Sequence, residues 1–231
     1  MSSRPTLTTT SYAVLGLLAV RPWSSYELTR QMDRGLARFW PRAASKLYEE
    51  PKKLASHGLA RASRRTAGRR SRTVYTITAA GRRRLAAWMA EPASGPALEA
   101  EQLLKVFFAE NGSKQDLLNV LAGARRWAQQ QTTANAEIAR SYVAGEAAFP
   151  GRLAHTLLVG RFLADFEDMV ARWAHWATGI AEGWPDDISS AVADQPTLHY
   201  LAARDRESPE RTIVQADTAP AGLSGSPTGQ T

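Results

Sequence analysis

Six arginines fall between Arg61 and Arg72, at positions 61, 64, 65, 69, 70 and 72, with no acidic residue among them. A guanidinium stays charged at any physiological pH and presents a planar fork of donors that matches the oxygens of a phosphate. Such a cluster suits a polyanion. Ala67-Gly68 supplies a turn between its two halves, and Thr73 to Thr78 is a β-branched, aromatic run that reads as the returning strand. Just upstream, Ala43-Ala44-Ser45 leads into Leu47, Tyr48 and Leu54, with Leu47 and Leu54 seven residues apart on one helical face. Gly58 stands where a helix C-cap needs a left-handed residue, and Leu59 can fold back onto the last turn. A short helix followed by an arginine-tipped hairpin is how a winged helix-turn-helix grips DNA. Six arginines in a basic protein could also be a solvated loop. Their position around a turn, directly behind a capped helix, favours nucleic acid.

Other chemistries find little support. His57, His155, His175 and His199 are far apart, and none has metal-ligand spacing with a carboxylate. His57 reads as a capping or surface residue near a helix C-terminus. Asp165, Glu167 and Asp168 are close in sequence, but residues 165 and 168 share one helical face, the pattern of a solvated edge. There is no glycine-rich phosphate loop and no nucleophile elbow. No cysteine exists to form a disulfide, bind a metal as thiolate or act as a nucleophile. The expectation is a protein that is not an enzyme and uses no cofactor.

The charge is informative when split. Residues 1–92 hold 18 Lys+Arg against 5 Asp+Glu, whereas residues 93–231 hold 11 against 17. A basic half joined to an acidic half fits a polyanion-binding module on a scaffold that avoids the polyanion. A membrane-surface protein would carry its cations along one amphipathic helix instead. No run of eighteen apolar residues is present, and MSSRPTLTTT lacks the apolar core of a signal peptide, so a cytoplasmic protein is expected.

The elements that would position the basic cluster can be read from caps and periodicity. Thr8 to Ser11 offer N-caps for an apolar helix over Tyr12 to Val20, which Arg21-Pro22-Trp23 ends. Ser24 and Glu27 form a capping box for a second helix with Leu28, Met32 and Leu36 on its inner stripe. Phe39-Trp40-Pro41 makes an aromatic turn before the third helix. Thr78 caps a fourth helix, with Leu85, Trp88 and Met89 expected on its core face and Arg82, Arg83 and Arg84 opposite.

In this order the landmarks resemble the PadR family of transcriptional regulators: Leu15-Gly16-Leu17-Leu18, Tyr26-Glu27-Leu28, Phe39-Trp40, Ser45, Leu47-Tyr48, Gly58-Leu59, and Tyr75 through Thr78 to Gly81. Each is weak alone, and together they are in register over seventy residues. The resemblance implies a third helix that enters the major groove and a wing that lies over the backbone or minor groove. Ser45, Lys46 and Tyr48 are then the expected groove contacts, with Arg42, Lys52 and Lys53 on phosphates. Arg64, Arg65, Arg69, Arg70 and Arg72 would clamp from the wing, and Tyr75 is counted with the DNA-binding set. Two positions depart from the family. Glu49 stands where a proline is frequent, and Pro51 where a leucine is usual. Pro51 has no amide to offer the Leu47 carbonyl and is expected to kink the helix or mark a tightened turn. Glu49 and Glu50 are expected to face away from DNA or toward Lys52, Lys53 or an arginine.

Past a Pro/Gly/Ser linker at Pro92 to Pro96 the chain turns helical. Ala97 to Glu110 carries Leu103, Leu104, Phe107 and Phe108. Ser113 and Asp116 form a second capping box, opening a long helix with Leu117, Leu121, Ala124, Ala128, Ile138 and Tyr142 on one side. Gly151 starts another, bearing Leu157, Phe162, Phe166, Met169, Trp173, Trp176, Ile180 and Trp184. This half is similar to the larger PadR class, whose helical C-terminal domain dimerises. Leu103, Leu104, Phe107, Phe108, Leu157, Phe162, Phe166, Met169, Trp173 and Trp176 are the expected dimer contacts. The aromatic stripe could instead form a pocket for a flat hydrophobic effector.

The fold expected is mainly α: a winged helix-turn-helix over residues 1–92, with three to four helices and a two-stranded wing, a helical dimerisation domain over 93–184, and a mostly disordered tail over 185–231. The function expected is a PadR-like repressor acting as a homodimer on a palindromic operator in double-stranded DNA. The alternative is a ligand sensor or adaptor whose winged domain binds a protein.

Overall fold

The computed structural model describes residues 6–40, 48–67 and 70–204, with the backbone but not the side chains of Ala67 and Arg70. It divides into two compact units, residues 1–97 and 98–231.

The first unit is built around α1 (Thr9–Val20), which packs against three other elements described below. Its start is a reciprocal cap: Thr8 N–H donates to Ser11 Oγ at 3.1 Å, and Ser11 N–H to Thr8 Oγ1 at 3.2 Å. Val14, Leu15, Leu17 and Leu18 are all buried. After the break at Pro22, β1 (Trp23–Ser24) is a two-residue strand that the sequence pattern did not announce. Trp23 Nε1–H donates to the Leu17 carbonyl at 2.7 Å, which anchors it under α1. Then α2 (Ser25–Gly35) opens on the Ser24–Glu27 capping box and buries Leu28 and Met32.

The third helix, α3 (Glu50–Ser56), leads into β2 (Ala60–Ala67) and β3 (Arg70–Ile77), and α4 (Ala79–Met89) closes the unit. α1 contacts α3, β3 and α4. The sheet is antiparallel in the order β1-β3-β2, so the wing has a third strand at its base. Pro51 does not kink α3. It stands in the first turn, buried, where its missing amide has no intrahelical acceptor to lose. The helix ends as its glycine requires: Gly58 has φ +69°, and the Leu59 amide reaches back to the Leu54 carbonyl at 2.9 Å. Thr78 then ties three elements together, capping Gly81 N–H at 3.1 Å and donating its hydroxyl to the Gly58 carbonyl at 2.7 Å. A Cβ on Gly81 would collide with the Leu59 carbonyl, so only glycine lets α4 sit this close to the α3–β2 turn. Trp88 of α4 stacks on Tyr12 with centroids 4.7 Å apart. Met89, expected in the core, is exposed because it lies past the end of that contact.

The second unit holds α5 (Glu101–Phe107), a 3-10 turn at Ala109–Asn111, α6 (Lys114–Val143), α7 (Leu153–Glu182) and α8 (Gln195–Ala203). α6 and α7 have 30 residues each, about 45 Å of helix at 1.5 Å per residue. Gly145, at φ +80°, ends α6 and lets the chain reverse. The two helices run antiparallel. Lys114, at the start of α6, donates to the Glu182 and Trp184 carbonyls at the end of α7 (2.8 and 2.6 Å), and Asn135 Nδ2 donates to both oxygens of Glu167 at 2.8 and 2.7 Å. Leu117, Leu121, Ala124 and Ala128 of α6 and Leu163, Ala174 and Ala181 of α7 form the buried seam. The short alanines let the helices approach closely.

Part of the expected dimer stripe faces inward. Trp173 packs against the Leu117–Leu121–Ala181 cluster, and Phe166 meets Trp127 edge-on at 6.1 Å, so both belong to the α6–α7 seam of one subunit. They lie on the side of α7 that faces α6. Within the stretch from residue 185, a 3-10 turn at Ile188–Ser190 buries Ile188, and α8 is capped by Asp194, which accepts from Thr197 N–H at 2.9 Å; residues 205–231 lie outside the described residues.

Candidate nucleic-acid interface

The wing is the clearest site, and its register explains its chemistry. Arg61 pairs with Thr76, Ser63 with Val74 and Arg65 with Arg72, so Arg61, Arg65 and Arg72 share one face of the hairpin. Arg64, opposite Thr73, points to the other face. Side chains from Ser63 to Thr66 and from Ser71 to Thr73 are exposed, whereas Val74, Tyr75 and Ile77 at the base are buried. The apolar base fixes the register, and the register places Arg65 directly across from Arg72. Like charges at directly opposed positions destabilise a sheet. An anion lying along the hairpin would relieve that repulsion.

One carboxylate already does so in part. Glu27 accepts from Ser24 N–H at 2.8 Å and Ser24 Oγ at 2.7 Å, and its Oε1 lies 3.7 Å from Arg72 Nη1 and 3.8 Å from Arg21 Nη1. The bonds from the Ser24 backbone and hydroxyl, together with the two guanidinium groups, hold its carboxyl below the usual glutamate range. Arg21 also lies over the Trp23 ring, 3.4 Å from its centroid. The helix cap, the base of the sheet and the wing therefore share one polar junction.

At α3 the described surface is small but of the right kind. Tyr48 is exposed, and Lys52 is exposed with its ammonium 3.0 Å from Glu49 Oε1. The hydrogen bond from Lys52 to Glu49 raises the lysine's pKa, so it stays a full cation. Glu49 thus faces Lys52, and Glu50 faces inward with Lys53 Nζ 3.8 Å away. Of the residues expected to touch DNA, Tyr48, Lys52, Lys53, Arg64, Arg65 and Arg72 are placed at the surface or half-buried at its edge. Arg42, Ser45, Lys46 and Arg69 lie outside the described residues, and of Arg70 only the strand backbone is described. Tyr75 is corrected. It is 4% exposed, paired with Ala62 on one side and Trp23 on the other, and it fills the base of the wing.

Sequence reasoning counted Arg61 in the basic cluster but not in the clamp, and it missed Arg21 and the junction role of Glu27. The capping box had identified Glu27 as a local residue. Its contact with Arg72, 45 positions on, depends on β1 joining the sheet.

With this geometry in hand, comparison with known proteins is decisive for the fold. Residues 14–87 match the transcriptional regulator PadR-like family. The chain carries a PadR-like domain. Residues 100–181, inside the second unit, match the virulence activator alpha C-terminal family. The negative transcriptional regulator PadR of Bacillus subtilis is 31% identical over 107 residues, 46% of this chain and 59% of that protein. A probable transcriptional regulator of Mycobacterium tuberculosis is 34% identical over 84 residues, 36% of this chain and 44% of that protein. The chain thus spans about half the length of these relatives. Solved structures of B. subtilis PadR with operator DNA and with p-coumaric acid superpose with TM-scores of 0.65 and 0.59 at 23% and 22% identity, covering 75% and 76% of this chain and 99% of each. At such identities the likeness is one of fold. The PadR-like domain has the winged helix-turn-helix architecture with a three-stranded sheet, and the described residues as a whole are mainly helical.

Among the described residues, no helix is long and apolar enough to cross a membrane.

Proposed function

We propose that this chain is a DNA-binding transcriptional regulator that acts as a homodimer on a palindromic operator, in the repressing sense for which B. subtilis PadR is named. The observation that carries the reading is the exposed arginine pair Arg65–Arg72 on a hairpin whose base is locked by burial. Phosphate contacts from the wing supply affinity without regard to sequence, and α3 supplies sequence choice through Tyr48, Lys52 and the residues just before them. The relative solved on operator DNA is consistent with this use of the same fold.

The dimer rests on α7. Its buried positions 167, 174 and 181 face α6, and Phe162, Met169 and Trp176, a second heptad series offset by two residues from the first, are exposed on roughly the opposite face. A helix apolar on two sides needs two partners, and α6 supplies one. Leu103, Leu104, Phe107 and Phe108 of the α5 segment and Leu157 of α7 are exposed as well. A second copy would cover this surface, and twofold symmetry would present two winged units to a palindrome. An effector site is proposed at the open cleft of about 420 Å³ between α5 and α6, lined by Leu104, Phe108, Leu117 and Val120. Its apolar lining suits a small aromatic molecule, the class of ligand with which B. subtilis PadR was solved.

The test is to incubate the purified full chain with genomic fragments and sequence what is retained. Recovery of a shared inverted repeat is expected. No retained DNA at low salt, with a stable protein complex formed instead, would replace this reading with the adaptor alternative.

A further inference from the structure

Glu50 is a carboxylate in the wrong place for a DNA-facing helix. It is the first residue of α3, yet it is 5% exposed and sits in the core beside Pro51 and Leu54. Burying a charge without partners is costly, and Glu50 has partners: Ser11 Oγ–H donates to its Oε2 at 2.7 Å, and Lys53 Nζ stands 3.8 Å from its Oε1. Ser11 is itself fully buried and belongs to the reciprocal cap with Thr8, its hydroxyl 3.1 Å from Thr8 Oγ1. A continuous polar chain therefore runs Thr8–Ser11–Glu50–Lys53, from the first turn of α1 to the middle of α3.

This polar chain joins the central helix of the unit to the helix that carries Lys52 and follows directly on the turn that carries Tyr48. Beside it α3 buries Pro51 and Leu54. Apolar contacts hold two helices together but tolerate small rotations and slides, whereas a short charge-assisted hydrogen bond between two buried side chains specifies one arrangement. Tyr48 and Lys52 are two residues to either side of Glu50, so fixing Glu50 fixes both. Glu49, one residue earlier, is exposed and spent on Lys52. The two adjacent glutamates thus have opposite tasks.

We propose that Glu50 is a positioning residue for sequence readout: bound to the Ser11 hydroxyl, it sets the orientation of α3 on α1 and so the reach of Tyr48 and Lys52 into the groove. The inference rests on the DNA-binding reading above and adds a residue that touches no DNA.

The variants that separate positioning from mere space-filling are Glu50→Met and Glu50→Gln in the full chain. Methionine has similar volume and removes the buried charge, which is frequently neutral or stabilising, and Ser11 retains its bond to Thr8. Glutamine keeps a carbonyl oxygen for the Ser11 hydroxyl. Each is measured for affinity to a selected operator fragment and to an unrelated duplex at one salt concentration, with a thermal melt alongside. Glu50→Met should melt close to the wild type yet lose operator preference over the unrelated duplex on the order of tenfold, with binding to the unrelated duplex unchanged. Glu50→Gln should keep most of the preference. Should Glu50→Met fail to fold, Ser11→Ala carries the same expectation of lost preference, because it removes the donor and leaves the carboxylate. A folded Glu50→Met or Ser11→Ala with undiminished preference would overturn the proposal and leave DNA binding standing. A wild-type protein that binds neither duplex would instead overturn the DNA-binding reading and this proposal with it.

Discussion

The two units solve opposite problems. The winged unit closes a core around Leu15, Leu18, Leu28, Leu54 and Val74 and leaves the cations of its wing outside, so its unmet demand is mainly one of charge. The helical unit holds Asp116 in a local cap and Glu101 and Asp165 in ion pairs, and leaves Phe107, Leu158 and Phe162 more than half exposed. The first therefore looks for an anion and the second for apolar surface. A regulator that must dimerise before it reads a palindrome needs these two deficits on separate units, because a cationic dimer seam would repel itself.

That contrast can be broken at several points. The largest effect is expected inside the winged unit. Gly81→Ala forces a Cβ into the Leu59 carbonyl and should cost about 3 kcal/mol or more, read as a fall in the denaturation midpoint. In the helical unit an exposed residue should matter more for assembly than for folding. Phe162→Asp should leave the helical signal intact and weaken dimerisation on the order of a hundredfold, since a charge would enter the seam from both copies. Sedimentation that still shows a dimer at micromolar concentration would place the interface elsewhere.

The junction at Glu27 gives a smaller effect with a defined sign. Its carboxyl is held below the usual range, so its contribution is complete above the ordinary glutamate pKa and is lost as pH falls through the lowered folded value. The stability gap between wild type and Glu27→Gln, about 1 kcal/mol at neutral pH, should therefore close below roughly pH 4. A gap that persists in acid would show that the amide is at fault for a steric reason. Smallest of all, Pro51→Leu should change the midpoint by less than about 1 kcal/mol, because the proline occupies a first-turn position that needs no donor.

What the sequence made legible was whatever is encoded within a few residues. Ser24 with Glu27, Ser113 with Asp116, Thr78 with Gly81 and the left-handed Gly58 were readable because a cap is a local pattern. Glu50 was so only in part. Its turn toward Lys53 is a local pattern the sequence offers, but its burial against Ser11, 39 positions away, is not. Trp173 and Phe162 carry the same apolar signal at the same helical period, so periodicity shows a stripe but not which side meets α6. Tyr75 follows the arginines in the sequence, yet strand alternation and the addition of β1 turn it inward. α8 escaped notice because nine residues flanked by polar segments have little periodicity to show.

The most direct test of the central claim is a salt titration of duplex binding by the wild type and by Arg61→Ala/Arg65→Ala/Arg72→Ala. The wild-type affinity should fall steeply as salt rises, with a log–log slope of roughly −0.9 per phosphate contacted. The triple variant should bind all duplexes more weakly and lose about three units of slope, with its melting temperature preserved, because these side chains are exposed and pack no core. An unchanged slope in a folded triple variant would contradict the claim that the wing is the phosphate clamp.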